Sequence, residues 1–187
     1  QSTIYVEPQG EDCDMEAAWD ACRQVFGIAA VARAVPCEKT VDAIVEAGLY
    51  APSAKNLQST KLVVVRDAAV LARLERLNSR ILGTPEGTPF YGAPEAIVVL
   101  SDSEYPNWLQ DGSLVMGNLM NAAAALGIGS CWINRAMETF ELPEGKALLA
   151  EWGLGENWKG VGNCILGYTD QAVLGDKARK EDRVLYV

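Results

Sequence analysis

The chain has 187 residues, of which 49% are hydrophobic and 22% charged, a balance typical of one globular domain with an ordinary core. Its net charge of −9 excludes general affinity for nucleic acid or anionic lipid, so any bound anion must be held by a local cluster of donors. The chain contains no histidine, which excludes Ser–His and Cys–His nucleophilic sites and most zinc sites. Any enzymatic chemistry should therefore come from a cofactor, and we expect no metal.

The cysteines, the apolar runs and the N-terminal residues indicate the cellular compartment of the protein. Five cysteines at scattered spacings, without a CxxC pair, favour free thiols in a reducing cytoplasm. No apolar run approaches the roughly 20 residues of a membrane span. The opening QSTIYVEPQGEDCD lacks the basic start and apolar core of a signal peptide. We expect a flexible polar leader over residues 1–13, a single domain over 14–187, a cytoplasmic location, and neither membrane nor nucleic-acid partners.

The first half of the chain predicts three helices and one strand. Residues 14–26 form a candidate helix, and EKTVDAIVEAGLY after Pro36 is amphipathic, with a core stripe of Val41, Ile44, Val45, Gly48 and Leu49. KLVVV at 61–65 predicts a buried strand. Asp67 can cap the helix that follows, whose predicted core face is Val70, Leu71, Leu74, Leu77 and Ile81.

The second half predicts three more strands, at EAIVVL, GSCWI and GVGNCILGY. Residues 108–126 predict a long helix, apolar almost all round, that should lie in the centre of the protein and end at Gly127. Its narrow polar stripe consists of Gln110, Asp111, Asn118 and Asn121. PEGKALLAEW predicts a short helix, and DKARKEDRVLYV alternates charges without a core face. The alternation of helices and strands leaves a parallel doubly wound sheet as one option.

Four stretches, in this order, resemble the nitroreductase family of FMN-dependent oxidoreductases: IVEAGLYAPSAKNLQ, FYGAPEAIVVL, DGSLVMGNLMNAAAALGIGSCWI and CILGYTD. The resemblance covers roughly residues 36–183. It implies an α+β fold with a central mixed, mostly antiparallel sheet flanked by helices. It also implies an intertwined homodimer that binds FMN at the subunit interface and whose C-terminal arm reaches the other subunit. A coreless C-terminal segment and a long apolar helix agree with such an interface.

The first stretch contains the family's Pro-Ser-x-x-Asn-x-Gln motif, here Pro52, Ser53, Asn56 and Gln58. The resemblance implies that this loop lies against the flavin and its ribityl chain. A hydroxyl and two amides can satisfy polar ring and sugar atoms without adding charge. The alternative is an ordinary helix-terminating loop built from proline and turn-forming residues.

Two further groups of cofactor-binding residues are implied by the same resemblance. Trp132, Ile133, Asn134 and Arg135 stand where family members contact the reactive edge of the flavin, largely through backbone groups. Many relatives have glycine at the position of Arg135, so an arginine there would alter the pocket mouth or the substrate preference. The alternative is a strand end with a packed tryptophan.

Near the C-terminus, the resemblance implies that a basic residue contacts the FMN phosphate. We name Lys177 and Arg179, and favour Arg179 because a guanidinium can form two parallel bonds to a phosphate. The alternative is a solvated run of charges.

Asn118 and Asn121 are candidate flavin neighbours, although a buried hydrogen bond between helices is favoured for them.

The chain departs from the family at its N-terminal region, where the usual Arg-Arg-Ser-x-Arg run is replaced by CRQVFGIAAVARAVP. Each lost charge-assisted bond to phosphate is worth about 1.5–3 kcal/mol, so losing two would weaken FMN binding by roughly 10²–10⁴-fold.

Three functional hypotheses follow. The leading one is an NAD(P)H-dependent FMN oxidoreductase that passes hydride through flavin N5 to an electron-poor nitroaromatic, quinone or flavin in a ping-pong cycle, with no catalytic side chain. The second is a flavin-binding or flavin-remodelling protein without NAD(P)H turnover. The third is a scaffold that has lost flavin.

Overall fold

A computed structural model describes residues 36–168 and 179–187 of the chain. The expected leader, the candidate helix at 14–26 and Lys177 lie outside these ranges. The described helices and strands are, in chain order, α1 Glu38–Leu49, β1 Thr60–Val65, α2 Ala68–Leu82, β2 Glu95–Asp102, α3 Trp108–Ala125, β3 Gly129–Ile133, α4 Ala136–Glu141, α5 Pro143–Glu151 and β4 Trp158–Gly167.

The described strands form one sheet in the order β1-β2-β4-β3, and every neighbouring pair is antiparallel. This confirms the predicted α+β class and shows that the parallel doubly wound option is wrong. Alternation of helix and strand does not fix strand direction. After α2, residues 83–94 bring the chain back to the end of the sheet where β1 finished, so β2 runs antiparallel to its neighbour.

The sheet lies between two layers of helices, as the alternation of side chains along β2 shows. Ala96, Val98 and Leu100 belong to the core cluster that contains residues of α2, α4 and α5. Ile97 and Val99 belong to the cluster that contains residues of α1 and α3. All five side chains are fully buried, so β2 is the centre of the hydrophobic core.

The ends of two helices form as the sequence predicts. The Asp67 carboxylate accepts hydrogen bonds from the backbone N–H groups of Ala69 and Val70, each at 2.9 Å, and so caps α2. Leu71, Leu74 and Leu77 from its predicted core face are buried, whereas Val70 and Ile81 are half-buried. Gly127 follows α3 with a φ of 69°, a left-handed conformation that glycine adopts without steric cost.

Three expectations about buried faces are wrong. β1 lies at an edge of the described sheet and its Val64 is 39% exposed, although the sequence predicts a buried strand there. α3 belongs to an outer layer rather than the centre, and its side chains Leu109 and Leu114 are 38% and 48% exposed. Leu49, placed on the core stripe of α1, is 58% exposed. Apolar periodicity identifies a surface that avoids water, but it does not say whether the same protomer covers that surface.

The register of the sheet places the loop before β1 beside the end of β2. Thr60, Ser101 and Lys159 occupy one row, so β1 begins where β2 ends and β4 begins. β3 occupies the opposite edge from β1, and its last residue, Ile133, pairs with Asn163 of β4.

Candidate functional site

The loop between α1 and β1 is held by its own hydrogen bonds. After α1 ends at Leu49, residues Ala54–Asn56 make one 3-10 turn, in which the N–H of Asn56 donates to the carbonyl of Ser53 at 2.9 Å. The N–H of Gln58 then donates to the hydroxyl oxygen of Ser53 at 3.0 Å. Ser53 therefore closes the loop on itself through both its backbone and its side chain.

Part of this loop has an unusual backbone conformation. Lys55, Asn56 and Gln58 have φ values of 53°, 54° and 50°, in the left-handed region that residues other than glycine seldom adopt. Each such residue costs on the order of 1 kcal/mol or more and persists only when its surroundings hold it. The loop therefore needs an anchor outside itself.

The side chains of the loop present a neutral set of donors and acceptors. Asn56 and Gln58 are exposed and joined by a hydrogen bond of 3.1 Å from Gln58 Nε2 to Asn56 Oδ1. This bond leaves Asn56 Nδ2 as a donor and Gln58 Oε1 as an acceptor. Ser53, which accepts from Gln58, keeps its hydroxyl hydrogen as a donor. Pro52 is exposed beside them.

The anchor of the loop is Asp111, which the sequence identified only as a member of the polar stripe of α3. Its side chain is buried, with 4% exposure. Oδ1 accepts from the N–H of Ala54 at 3.0 Å, and Oδ2 accepts from the Ser59 hydroxyl at 3.4 Å. A single acidic residue in a helix that is otherwise almost wholly apolar was the signal that could have identified it.

The sheet end beneath the loop is tightly assembled. The Thr60 and Ser101 hydroxyl oxygens lie 3.1 Å apart, and the N–H of Asp102 donates to the carbonyl of Ser59 at 2.9 Å. Gly112 of α3 lies so close to the sheet that a Cβ there would stand 2.5 Å from a Val161 methyl group of β4 and 2.8 Å from the Ser101 hydroxyl oxygen of β2. The start of α3 is thus pressed against the end of β2, with the loop beside it.

The second predicted group lies at the exit of β3. Trp132 is half-buried and Ile133 is buried, whereas Asn134 and Arg135 are exposed. The indole of Trp132 lies against Gly162, because a Cβ at that position would clash with the indole Nε1. Nε1 is buried and has no hydrogen-bond partner in the part of the chain that the structure describes.

The backbone at this exit turns sharply. Arg135 has a φ of 73°, and its carbonyl accepts from the N–H of Thr139 at 2.8 Å, which starts α4. Its guanidinium pairs with Glu138 at 3.0 Å. Within residues 36–168 and 179–187, the backbone N–H groups of Asn134 and Arg135 form no hydrogen bond.

The two groups lie at different edges of the sheet, since the loop precedes β1 and the exit follows β3. α3 is the element that contacts both regions. Asp111 binds the loop, and Met116 lies close to Gly162, against which Trp132 packs. No hydrogen bond between described residues joins the loop directly to the exit.

Of the two basic residues predicted near the C-terminus, Arg179 is described and Lys177 is not. Arg179 lines a shallow depression of about 550 Å³ together with Lys180, Asp182, Arg183 and Val184. Three of these five lining residues are basic, so the depression is suited to an anion despite the net negative charge of the chain.

The two asparagines of the polar stripe on α3 differ in environment. Asn118 Nδ2 donates to the Ala47 carbonyl of α1 at 3.1 Å, which confirms the hydrogen bond between helices that the sequence favoured. Asn121 is exposed. Asn118 therefore ties α3 to α1.

The thiols beside the β3 exit are poorly suited to act as nucleophiles. Burial raises the pKa of Cys131. Burial, with a smaller contribution from Cys131, raises the pKa of Cys164 to about 12. Both are protonated at neutral pH, so neither supplies the thiolate that covalent catalysis requires.

In residues 36–168 and 179–187, no group of three or more His, Cys, Asp and Glu side chains is arranged to bind a metal. Over the same ranges, no helix is both long enough and apolar enough to cross a bilayer.

Comparison with known proteins relates these features to a family. The family model described as the nitroreductase family matches residues 32–89, which include the whole loop. A protein of Archaeoglobus fulgidus with the provisional name NADH dehydrogenase/NAD(P)H nitroreductase is 33% identical over 136 residues, which are 70% of this chain and 73% of that protein.

Two crystal structures of nitroreductases with bound FMN share the fold. The one from Bacteroides fragilis has a TM-score of 0.82 and 29% identity, and the match covers 91% of this chain and 98% of that chain. The one from Desulfitobacterium hafniense has a TM-score of 0.81 and 22% identity, with the same coverage of 91% and 98%. The second likeness, at its lower identity, concerns the fold alone.

Proposed function

This chain belongs to the nitroreductase family, and from that premise we propose that it is an FMN-dependent oxidoreductase. It takes a hydride from NAD(P)H and passes reducing equivalents to an electron-poor small molecule, such as a nitroaromatic, a quinone or a free flavin. The observation that carries the proposal is the loop of residues 51–59, whose neutral donors and acceptors are held outward by a strained backbone. The FMN-bound relative from Bacteroides fragilis and the name of the Archaeoglobus fulgidus relative support the two cofactors.

The donor set fits a flavin. The Ser53 hydroxyl, Asn56 Nδ2 and Gln58 Oε1 complement a ring edge and a ribityl chain that carry both donors and acceptors. Pro52 adds an apolar surface beside them. We assign these four residues to the ring and the ribityl chain. FMN, when bound, supplies a ring nitrogen, N5, that accepts a hydride and releases it to the acceptor.

The β3 exit, residues 132–135, supplies the backbone groups that orient the flavin. The N–H groups of Asn134 and Arg135, which bond to no other described residue, are donors without the bulk or charge of a side chain. Such donors, fixed by the start of α4, help to position and polarise a bound ring. Trp132 and Ile133 anchor the exit on opposite faces of the sheet, Trp132 against the cluster that contains α1 and α3 and Ile133 within the cluster that contains α2, α4 and α5.

The phosphate is assigned to the basic C-terminal segment, with Arg179 as the principal contact and Lys177 as the second. A guanidinium holds phosphate through two parallel bonds. No acidic or basic side chain is required for the transfer itself, since water can supply protons. This agrees with a chain that contains no histidine.

The protein is proposed to act as a homodimer. The loop and the β3 exit lie at opposite edges of the sheet in one protomer, so a second copy would bring complementary groups together at each site. The exposed side chains Leu109 and Leu114 of α3 would also be covered by such a partner.

An absorbance spectrum tests the proposal. The purified protein, supplied with FMN and freed of excess, is expected to be yellow, and anaerobic NADH or NADPH should bleach it. Addition of a quinone or a nitroaromatic should restore the colour. A preparation that remains colourless and does not quench flavin fluorescence at high micromolar protein would refute the proposal.

The second candidate function is a flavin-binding protein without NAD(P)H turnover. It is favoured by the replacement of the family's Arg-Arg-Ser-x-Arg run in the N-terminal region. The same experiment separates the two candidates, because this protein would be yellow but would not be bleached by either nicotinamide.

A further inference from the structure

We propose that Asp111 is the positioning residue of this site: its buried carboxylate holds the loop of residues 51–59 in the conformation that presents Ser53, Asn56 and Gln58. The effect on flavin rests on the proposed function. The effect on the loop does not, because it concerns contacts within the flavin-free chain.

The carboxylate of Asp111 is buried and is held by specific hydrogen-bond donors. It is 4% exposed, and no lysine or arginine among the described residues forms an ion pair with it. An unpaired buried carboxylate is expensive unless hydrogen-bond donors compensate for lost water. Here the compensation comes from the Ala54 N–H and the Ser59 hydroxyl, with help from the first turns of α3, where the helix dipole favours negative charge.

The two hydrogen bonds bracket the strained part of the loop. Ala54 precedes Lys55, Asn56 and Gln58, the three residues with positive φ, and Ser59 follows them. Fixing both ends of the segment limits the backbone conformations available between them. The carboxylate thereby offsets the conformational cost of the left-handed residues.

Asp111 and Asn118 are both polar side chains of α3 that bond to another element, but they bond to different ones. Asn118 binds the Ala47 carbonyl within α1, before the loop begins. Asn118 joins two helices, whereas Asp111 joins a helix to the loop. The pair provides a matched comparison, because Asn118→Ala loosens α1 against α3 without touching residues 51–59.

The first test follows amide hydrogen exchange in the flavin-free protein. Asp111→Ala is expected to speed exchange at residues 54–58 by about 10- to 100-fold, the equivalent of one lost hydrogen bond to a charged group. Asp111→Asn keeps one oxygen acceptor for the Ala54 N–H and should give an intermediate rate. Ser59→Ala, which removes the longer bond, serves if Asp111→Ala does not fold, and Asn118→Ala should leave loop exchange unchanged.

The second test measures the dissociation constants of FMN and of riboflavin by fluorescence quenching. Asp111→Ala should weaken both ligands by the same factor, about 10- to 100-fold, because the loop is assigned to the ring and ribityl chain rather than the phosphate. Partial recovery in Asp111→Asn is expected.

Loop exchange that is unaltered in Asp111→Ala, or accelerated equally in Asn118→Ala, would overturn the positioning role. Wild-type protein that binds neither flavin would instead overturn the proposed function, while the exchange experiment still decides what Asp111 does to the loop.

Discussion

Asn56 combines a left-handed backbone with an exposed amide nitrogen. Asparagine and aspartate are the residues other than glycine that best tolerate this conformation. Asn56→Asp therefore preserves the backbone and the oxygen that accepts from Gln58, but replaces a donor with a negative charge. We expect FMN to bind about 10- to 100-fold more weakly, since a bond is lost and a repulsion is gained.

Titration of the variant with FMN, followed by fluorescence quenching, measures this effect. Thr88→Asp is the matched control, because it adds the same charge at an exposed position in the connection between α2 and β2. Equal losses of affinity in the two variants would mean that net charge, and not the loop, determines binding.

The cysteines should differ widely in reactivity. Cys37 is exposed, and hydrogen bonds from the side chain and backbone of Thr40 lower its pKa. Cys131 and Cys164 have raised pKa values because they are buried. With Cys13 and Cys22 replaced by serine, a thiol reagent near neutral pH should label Cys37 first and Cys164 only after unfolding.

Peptide mapping of the labelled protein identifies the order. Thr40→Val should slow labelling of Cys37, because without the hydrogen bond the thiolate loses its main stabilisation. Rapid native-state labelling of Cys164 would contradict the burial that raises its pKa.

At the scale of elements, α5 is tied to α2 by ion pairs. Arg73 of α2 forms a two-bond fork with Glu151 of α5, at 2.8 and 2.9 Å, and Arg80 pairs with Glu144 at 2.8 Å. The hydrogen bond from the arginine is in each case the main cause of a lowered glutamate pKa. A carboxylate with a depressed folded-state pKa stabilises the protein above its unfolded pKa, and the contribution is lost as pH falls through the folded value.

The free energy of unfolding should therefore fall as pH is lowered from about 5 to 3, the range at and below the ordinary glutamate pKa. Glu151→Gln should flatten part of that decline and lower the urea midpoint at neutral pH by a small amount, because the pair is largely exposed. Glu86→Gln is the control, since Glu86 is exposed and forms no ion pair with another described residue. An identical pH profile for Glu151→Gln and the wild type would contradict this account.

The bounds of the helices and strands were easier to predict from the sequence than the surfaces that they bury. GSCWI was placed as a strand with the bounds that the structure has, and EAIVVL needed only two more residues at its end. α4 was missed, because six residues are too few to show a helical period. Strand direction was also beyond local patterns, since it depends on the path of the connections.

The candidate site was predictable as composition but not as geometry. Proline, serine and amides after α1 indicated a polar loop, whereas its positive φ values depend on Asp111, which is more than 50 residues away in sequence. Long-range contacts of this kind leave only an indirect trace in the sequence, here one carboxylate in an apolar helix. The functional assignment of Trp132 to Arg135 likewise remains a prediction until flavin binding is measured.

At the scale of the whole molecule, α3 contributes side chains both to the core and to the surface where we expect a second copy to bind. One side of the helix packs on the sheet and α1, while Leu109 and Leu114 remain exposed. We expect a dimer in solution whose interface includes this side. Leu114→Glu should shift the protein toward the monomer, because a charge would be buried without a partner, and it should reduce FMN binding if both subunits contribute to each site.

Light scattering after size-exclusion chromatography gives the mass directly. Leu82→Glu is the control, because Leu82 ends α2 and is also exposed but lies on a different element. Wild-type protein that is monomeric at all concentrations, yet binds FMN normally, would contradict the proposed shared site.

The contact between Trp132 and Gly162 also makes the two positions a reciprocal pair in volume. The indole occupies part of the space that any larger residue at 162 would need, so a larger residue there requires a smaller one at 132. A smaller residue at position 132 would create room beneath the strand exit, and alanine in place of Gly162 would fill part of that room. Such paired substitutions would change the packing beneath the β3 exit, while the polar loop that faces solvent keeps its native sequence.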